Sequence, residues 1–173
     1  MNLLYTVFLL SGIHHANIQD GVFLSSQSYA MQEVWVADPK NTQRLVERND
    51  GVRLVSSSCS HLFTSKNAYG YRKGNKAFRF WGKNCFEIIN TEGIYIYRLE
   101  VDSQSSSELY YFSKTANDDL LPMNRKNLKE VYKNEHPVFA ESVSLLDWYI
   151  CLTDSIAPLG KLRIVELFQY CTK

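Results

Sequence analysis

The sequence predicts an α+β fold: an antiparallel β-meander of about six to eight strands, then two or three C-terminal helices packing on the sheet. Two observations carry this expectation. Across residues 21–114, short apolar and aromatic runs alternate with turn residues at spacings too close for the crossovers that parallel strands need. Beyond Lys114 the apolar period lengthens from that of a strand to that of a helix.

Taken in chain order, residues 21–24 (Gly-Val-Phe-Leu) read as a first short strand, and Val34-Trp35-Val36 as a second ended by Asp38-Pro39. Asn49-Asp50-Gly51 separates residues 43–48 from 52–56, and Asp-Gly between two such runs is a strong hairpin signal. This turn pairs Leu45 and Val46 with the strand from Val52 to Val55 and is expected to hold Gly51 at positive φ. Residues 68–72 and 77–81 flank Lys73-Gly74-Asn75-Lys76, a second hairpin. Gly82-Lys83-Asn84 turns the chain into residues 85–89, and Thr91-Glu92-Gly93 turns it again into residues 94–101. A last strand, residues 109–113, follows the polar segment 103–107.

Side-chain alternation assigns faces. Tyr69 and Tyr71 share one face of their strand, as do Phe78 and Phe80 of theirs, with Arg72 and Arg79 opposite. The strand carrying Ile94, Tyr95, Ile96 and Tyr97 is apolar on both sides, so it belongs in the centre of the sheet or under a helix. Asn124 is placed to cap a helix with Leu128, Val131 and Tyr132 on one side. Pro137 suits a first helical position ahead of Phe139, Val143, Leu146 and Ile150, a single apolar stripe. Pro158 and Gly160 break the chain before a last helix with Leu162, Val165, Phe168 and Cys171.

Composition narrows the function classes. The chain has 173 residues, 45% hydrophobic and 21% charged, as in a single globular domain. Nineteen Lys and Arg face eighteen Asp and Glu, for a formal charge of +1. No nucleic-acid partner is expected, since such binders carry a basic excess. Eleven Tyr, nine Phe and three Trp lean the chain toward β structure.

No Asp, Glu, Lys or Arg occurs before Asp20, and residues 3–13 form an apolar run. The run is shorter than the ~20 residues of a membrane span but has the length of a signal-peptide core, followed by small or polar residues around Ala16. The expectation is a signal peptide over residues 1–19 and a single α+β domain over 20–173, secreted or periplasmic. The alternative is a buried N-terminal element of a cytoplasmic protein. Cys59, Cys85, Cys151 and Cys171 lie beyond this segment with no CxxC spacing, which points to reduced thiols or at most one bridge rather than structural zinc.

Asp20-Gly21-Val22-Phe23-Leu24, Tyr69-Gly70-Tyr71-Arg72, Phe78-Arg79-Phe80, Ile94-Tyr95-Ile96-Tyr97 and Tyr110-Tyr111-Phe112-Ser113-Lys114 form an ordered set, continued by Asn127-Leu128-Lys129. This set resembles a family of small, predicted-secreted proteins from Bacteroidetes-type bacteria. The resemblance spans residues 20–135. It implies export and one domain, and it assigns no site residue.

Cys59 and His61 lie two apart in a serine-rich segment without a third group to orient them, so a loop thiol beside a solvent-facing imidazole is expected. Asp118 and Asp119 lack the glycine-punctuated spacing of a calcium loop and read as a polar turn. Glu135-His136 has no second histidine to make a metalloprotease motif. No metal site and no cofactor is implied. The aromatic strands are the remaining set. Tyr69, Tyr71, Phe78, Phe80, Trp81, Tyr95 and Tyr97, interleaved with Arg72, Arg79 and Arg98, are the candidate ligand-binding residues, because aromatics beside arginine build stacking platforms. The competing reading packs one face under the helices and turns arginine to solvent. The expected function is a non-enzymatic envelope or extracellular module, its partner an envelope protein or a small-molecule or glycan ligand. The alternatives are a cupped sheet or barrel holding an apolar or carbohydrate ligand, and an enzyme whose residues converge only in space.

Overall fold

The computed structural model describes residues 19–36, 43–48, 51–100, 108–147, 151–156 and 161–173. The N-terminal apolar run, Asp38-Pro39, Asn49-Asp50, segment 103–107, Ile150, Pro158 and Gly160 lie outside the described residues. The chain opens with β1 (Gly21–Phe23) and a short helix α1 (Ser26–Ala30), then β2 (Arg44–Arg48), β3 (Gly51–Val55) and β4 (Ser60–Phe63). An antiparallel run follows: β5 (Gly70–Lys73), β6 (Lys76–Trp81), β7 (Asn84–Asn90), β8 (Tyr95–Glu100), β9 (Glu108–Ser113) and β10 (Leu121–Pro122). The helices α2 (Arg125–Tyr132) and α3 (Pro137–Leu145) come next, then the strand pair β11 (Ser155–Ile156) and β12 (Lys161–Leu162), and finally α4 (Arg163–Cys171).

The fold is α+β with a meander. Its main sheet has seven strands in the order β1-β5-β6-β7-β8-β9-β10, so all but the first junction join consecutive strands. Two-residue turns set the register: Gly74 and Gly82 open theirs at φ +58° and +60°, the positive first position of a II′ hairpin. The segment between β1 and β5 folds apart as a three-stranded sheet, β2-β3-β4. Leu45 faces Leu54 and Val46 faces Arg53 across the first hairpin of that sheet, the pairing expected. Gly51 differs from expectation. Positive φ among the described residues falls at Gln32, Gly74, Gly82 and Gly93, while Gly51 pairs with Arg48 as the first residue of β3. Glycine is needed there for space, since a Cβ would lie 2.0 Å from the Phe63 carbonyl oxygen of β4.

The pleat sends alternate residues to two faces, and one face carries two separate covers. Val22, Tyr71 and Phe80 pack under the small sheet with Leu45, Val52, Leu54 and Phe63. Ile94, Ile96 and Phe112 pack under the C-terminal helices with Leu128, Tyr132, Phe139 and Phe168. A single cross-strand row, Tyr71–Phe78–Glu87–Arg98–Tyr110, connects the two covers. Its middle is ionic: Arg98 reaches Glu87 at 2.5 Å and Glu108 at 2.7 Å, and Lys76 lies 3.3 Å from Glu87. The Glu87 hydrogen bond, offset in part by burial, pushes the Arg98 guanidinium above its ordinary range. The other face buries Phe86, Tyr97 and Leu120, with Trp81, Ile88, Tyr95, Leu99 and Tyr111 half-buried around them. β8 is thus an interior strand, apolar on both sides and covered by the helices on one, as its sequence predicts.

The helices and the Trp35 segment depart from expectation in three places, while α2 does not. Asn124 caps α2 as read, accepting from the Asn127 amide at 2.9 Å, with Leu128 and Tyr132 buried. In α3, Phe139, Ala140 and Val143 make the buried face, and the helix stops at Leu145. Leu146 has extended backbone and is half-buried, so the apolar stripe ends before it. Ser142 and Ser144 bond back to the carbonyls of Val138 and Ala140, a competition that weakens the helical ladder toward its end. The segment around Trp35 makes an isolated bridge to Val22 rather than a strand. Ahead of it lies α1, which the apolar periodicity does not show; Ser25 and Ser28 close it with a reciprocal capping box.

Candidate functional site: the Arg79 cleft

Arg79 sits in the middle of β6, opposite Gly70 on β5 and Phe86 on β7. A Cβ at Gly70 would lie 1.9 Å from the Phe78 carbonyl oxygen, so glycine there lets β5 approach the backbone of β6 closely. Arginine on a strand face normally reaches water, and the sequence reading allows for that. The structure buries Arg79 to 4% exposure. Its guanidinium carbon lies 5.3 Å from the Trp81 ring centre and 5.4 Å from those of Tyr69 and Tyr97, inside cation–π range of all three.

Two hydrogen bonds fix the group. One terminal nitrogen donates to the Tyr97 hydroxyl at 3.1 Å, and the other donates to the Asp118 carbonyl at 2.8 Å. The Tyr97 hydroxyl also lies 3.1 Å from that of Ser113, which donates to the Thr115 carbonyl at 2.7 Å. The Asp118 carboxylate is turned away, accepting from the Thr115 amide at 2.9 Å, so it shapes the turn that presents its carbonyl. The Asn117-Asp118-Asp119 segment is therefore the polar turn expected from sequence, and its backbone serves Arg79. Among the described residues no carboxylate pairs with this guanidinium, unlike Arg98, which carries two close ones. A buried cation left with neutral partners is costly, so it calls for an explanation beyond folding.

Arg79 lines an open cleft of about 530 Å³ walled by Ser65, Tyr69, Trp81, Gly82 and Asn117. That volume is in the usual range of small-molecule sites, roughly 300–1,000 Å³. Ser65 braces one wall by donating to the Gly82 carbonyl at 2.6 Å. The Tyr69 hydroxyl is buried beside the Tyr97 phenol and makes no hydrogen bond of good geometry within the protein. Burial, and then the nearby Tyr97 phenol, push its pKa far above the ordinary tyrosine range, so it is a protonated donor. Tyr29 of α1 packs 5.6 Å from the Tyr69 ring and 5.1 Å from that of Phe23. Burial raises its pKa to about 12.

The seven candidate aromatics divide between the faces. Tyr69, Trp81 and Tyr97 converge on Arg79, and Tyr95 lies half-buried in the apolar cluster that holds Trp81 and Tyr97. Tyr71, Phe78 and Phe80 belong to the opposite face, under the small sheet. Tyr71 stacks on Phe78 at 4.6 Å and donates to Glu47 at 3.0 Å. Phe80 also borders the cleft. Ser65 and Asn117 come from loops whose approach to β6 leaves no local sequence signal.

The other readings place easily. Cys59 lies 3.2 Å from the Ser56 hydroxyl, while His61 packs edge-on against Trp35, so the two do not form a pair. His136 precedes α3 and packs on Tyr132 and Phe168; Glu135 pairs with Lys114. None of the four cysteines joins another in a disulfide. Among the described residues no group of three His, Cys, Asp or Glu could hold a metal, and no helix is long and apolar enough to cross a membrane.

No family model matches the chain, and comparison with curated proteins and with solved structures finds no match either.

Proposed function

We propose that the protein is an exported, non-enzymatic binding module of the envelope or extracellular space, and that its ligand site is the Arg79 cleft. The observation that carries this is an arginine 4% exposed, without a carboxylate partner among the described residues, lining an open cleft. Folding alone gains little from such a group, whereas a ligand that enters the cleft gains a fixed, partly dehydrated cation. The described lining offers one cation, a phenol, an indole, a hydroxyl and an amide, a composition suited to holding a molecule rather than to proton transfer.

The test is an NMR titration of the full chain with a panel of small polar and aromatic compounds. Binders are expected to shift the amides of Gly82, Ala116 and Asn117, and Trp81→Ala is expected to weaken them. Shifts confined to the helices or the small sheet would move the site elsewhere.

Export rests on the uncharged apolar run of residues 3–13 and on the resemblance noted above. Mass spectrometry of protein from its native host is expected to find a chain lacking residues 1–16. Soluble cytoplasmic protein with an intact Met1 would contradict it.

A further inference from the structure

We infer that the Arg79 cleft takes an organic monoanion, a carboxylate-bearing small molecule, an assignment that rests on the cleft being the binding site. Two observations point to it independently. The first is the cation. A guanidinium carries more N–H donors than its bonds to Tyr97 and Asp118 use, and those bonds end on neutral oxygens. The second is Tyr69, which lines the same cleft and whose buried hydroxyl lacks a well-formed hydrogen bond. A cation with N–H donors to spare, beside a phenol without a well-formed hydrogen bond, is matched by a group that is all acceptor. An ionised carboxylate is such a group.

Charge decides among anions. Arg79 is the one charged side chain in the described lining, so a monoanion neutralises the site, whereas a phosphate dianion would leave a net charge in a partly dehydrated place. The guanidinium is planar and matches a carboxylate edge in two parallel hydrogen bonds. Trp81, half-buried at the rim, supplies an apolar surface for the remainder of the molecule. The cleft volume, about 530 Å³, leaves room for a ring as well as the carboxylate.

The full chain is titrated by calorimetry with benzoate and glucuronate, with benzamide and glucose as their neutral counterparts, and with inorganic phosphate. Each carboxylate is expected to bind at least about 10-fold tighter than its neutral counterpart and tighter than phosphate. Because Arg79 variants risk the fold, the decisive variant is Tyr69→Phe. It removes an unsatisfied hydroxyl, so its melting temperature is expected to hold or rise, while carboxylate affinity falls about 5- to 10-fold. Arg79→Lys, where it folds, keeps the charge but loses the planar fork and is expected to bind less well. Equal affinity for benzoate and benzamide would overturn the carboxylate assignment and leave the binding site standing. Phosphate binding tightest would overturn the monoanion argument. An unchanged affinity in Tyr69→Phe would remove the phenol from the site. Silence from every probe would overturn this inference and the binding reading together.

Discussion

Phe139→Ala is expected to destabilise the domain by about 3–5 kcal/mol, the usual cost of emptying a buried aromatic site. Phe139 is 0% exposed and meets Tyr132 edge-on at 5.2 Å and Phe168 at 5.0 Å, so one truncation removes a contact between α2, α3 and α4. Domains of this size are held by only about 5–15 kcal/mol, so the loss is a large share of the whole. Leu146→Ala is the informative comparison. Leu146 follows the last helical residue and is half-buried, so its truncation is expected to cost far less. Denaturant titration of both variants separates them. Equal, small shifts would show that the helices are peripheral to the sheet and that this core is misplaced.

Gly51→Val is expected to lower stability by about 1–3 kcal/mol or more, because the new Cβ meets backbone rather than a movable side chain. The atom would stand 2.0 Å from the Phe63 carbonyl oxygen, and relief requires β3 and β4 to separate. Gly51→Asn distinguishes this cause from a turn requirement. Asparagine tolerates positive φ, so a turn glycine would accept it, whereas a glycine kept for close approach would not. Thermal melts of both variants are expected to fall together. A normal melt for Gly51→Asn would restore the turn explanation.

The same glycine shows what was legible in the sequence and what was not. Asp-Gly between apolar runs predicts a hairpin because local turn chemistry sets register, and Leu45 does face Leu54. That local rule is silent about a third strand, and it is β4 that makes Gly51 necessary. The meander was readable for the same reason: each turn in it joins neighbours in space. The separation of β2-β3-β4 into its own sheet was not, since alternation looks alike in one sheet or two. In α3 the apolar stripe predicts Leu146 and Ile150, but helix length also depends on competing hydroxyls, here Ser142 and Ser144.

The candidate site was half legible. Tyr69, Trp81 and Tyr97 could be singled out as aromatics beside arginine, and the structure does gather them. Alternation assigns Arg79 to a face but does not say what covers it. Its burial comes from the Asp118 turn and from Tyr97, residues 39 and 18 positions away. Tyr71, Phe78 and Phe80 entered the same list because composition does not distinguish a core aromatic from a site aromatic.

A crystallographic fragment screen on the full chain tests the central claim, that the Arg79 cleft is where this protein binds. A few hundred small compounds, acidic and neutral, would be soaked individually and their positions mapped. The account predicts that bound fragments cluster between Tyr69, Trp81 and Asn117, with an acceptor group against the Arg79 guanidinium. Fragments that gather elsewhere on the domain, with this cleft holding solvent in every data set, would contradict it.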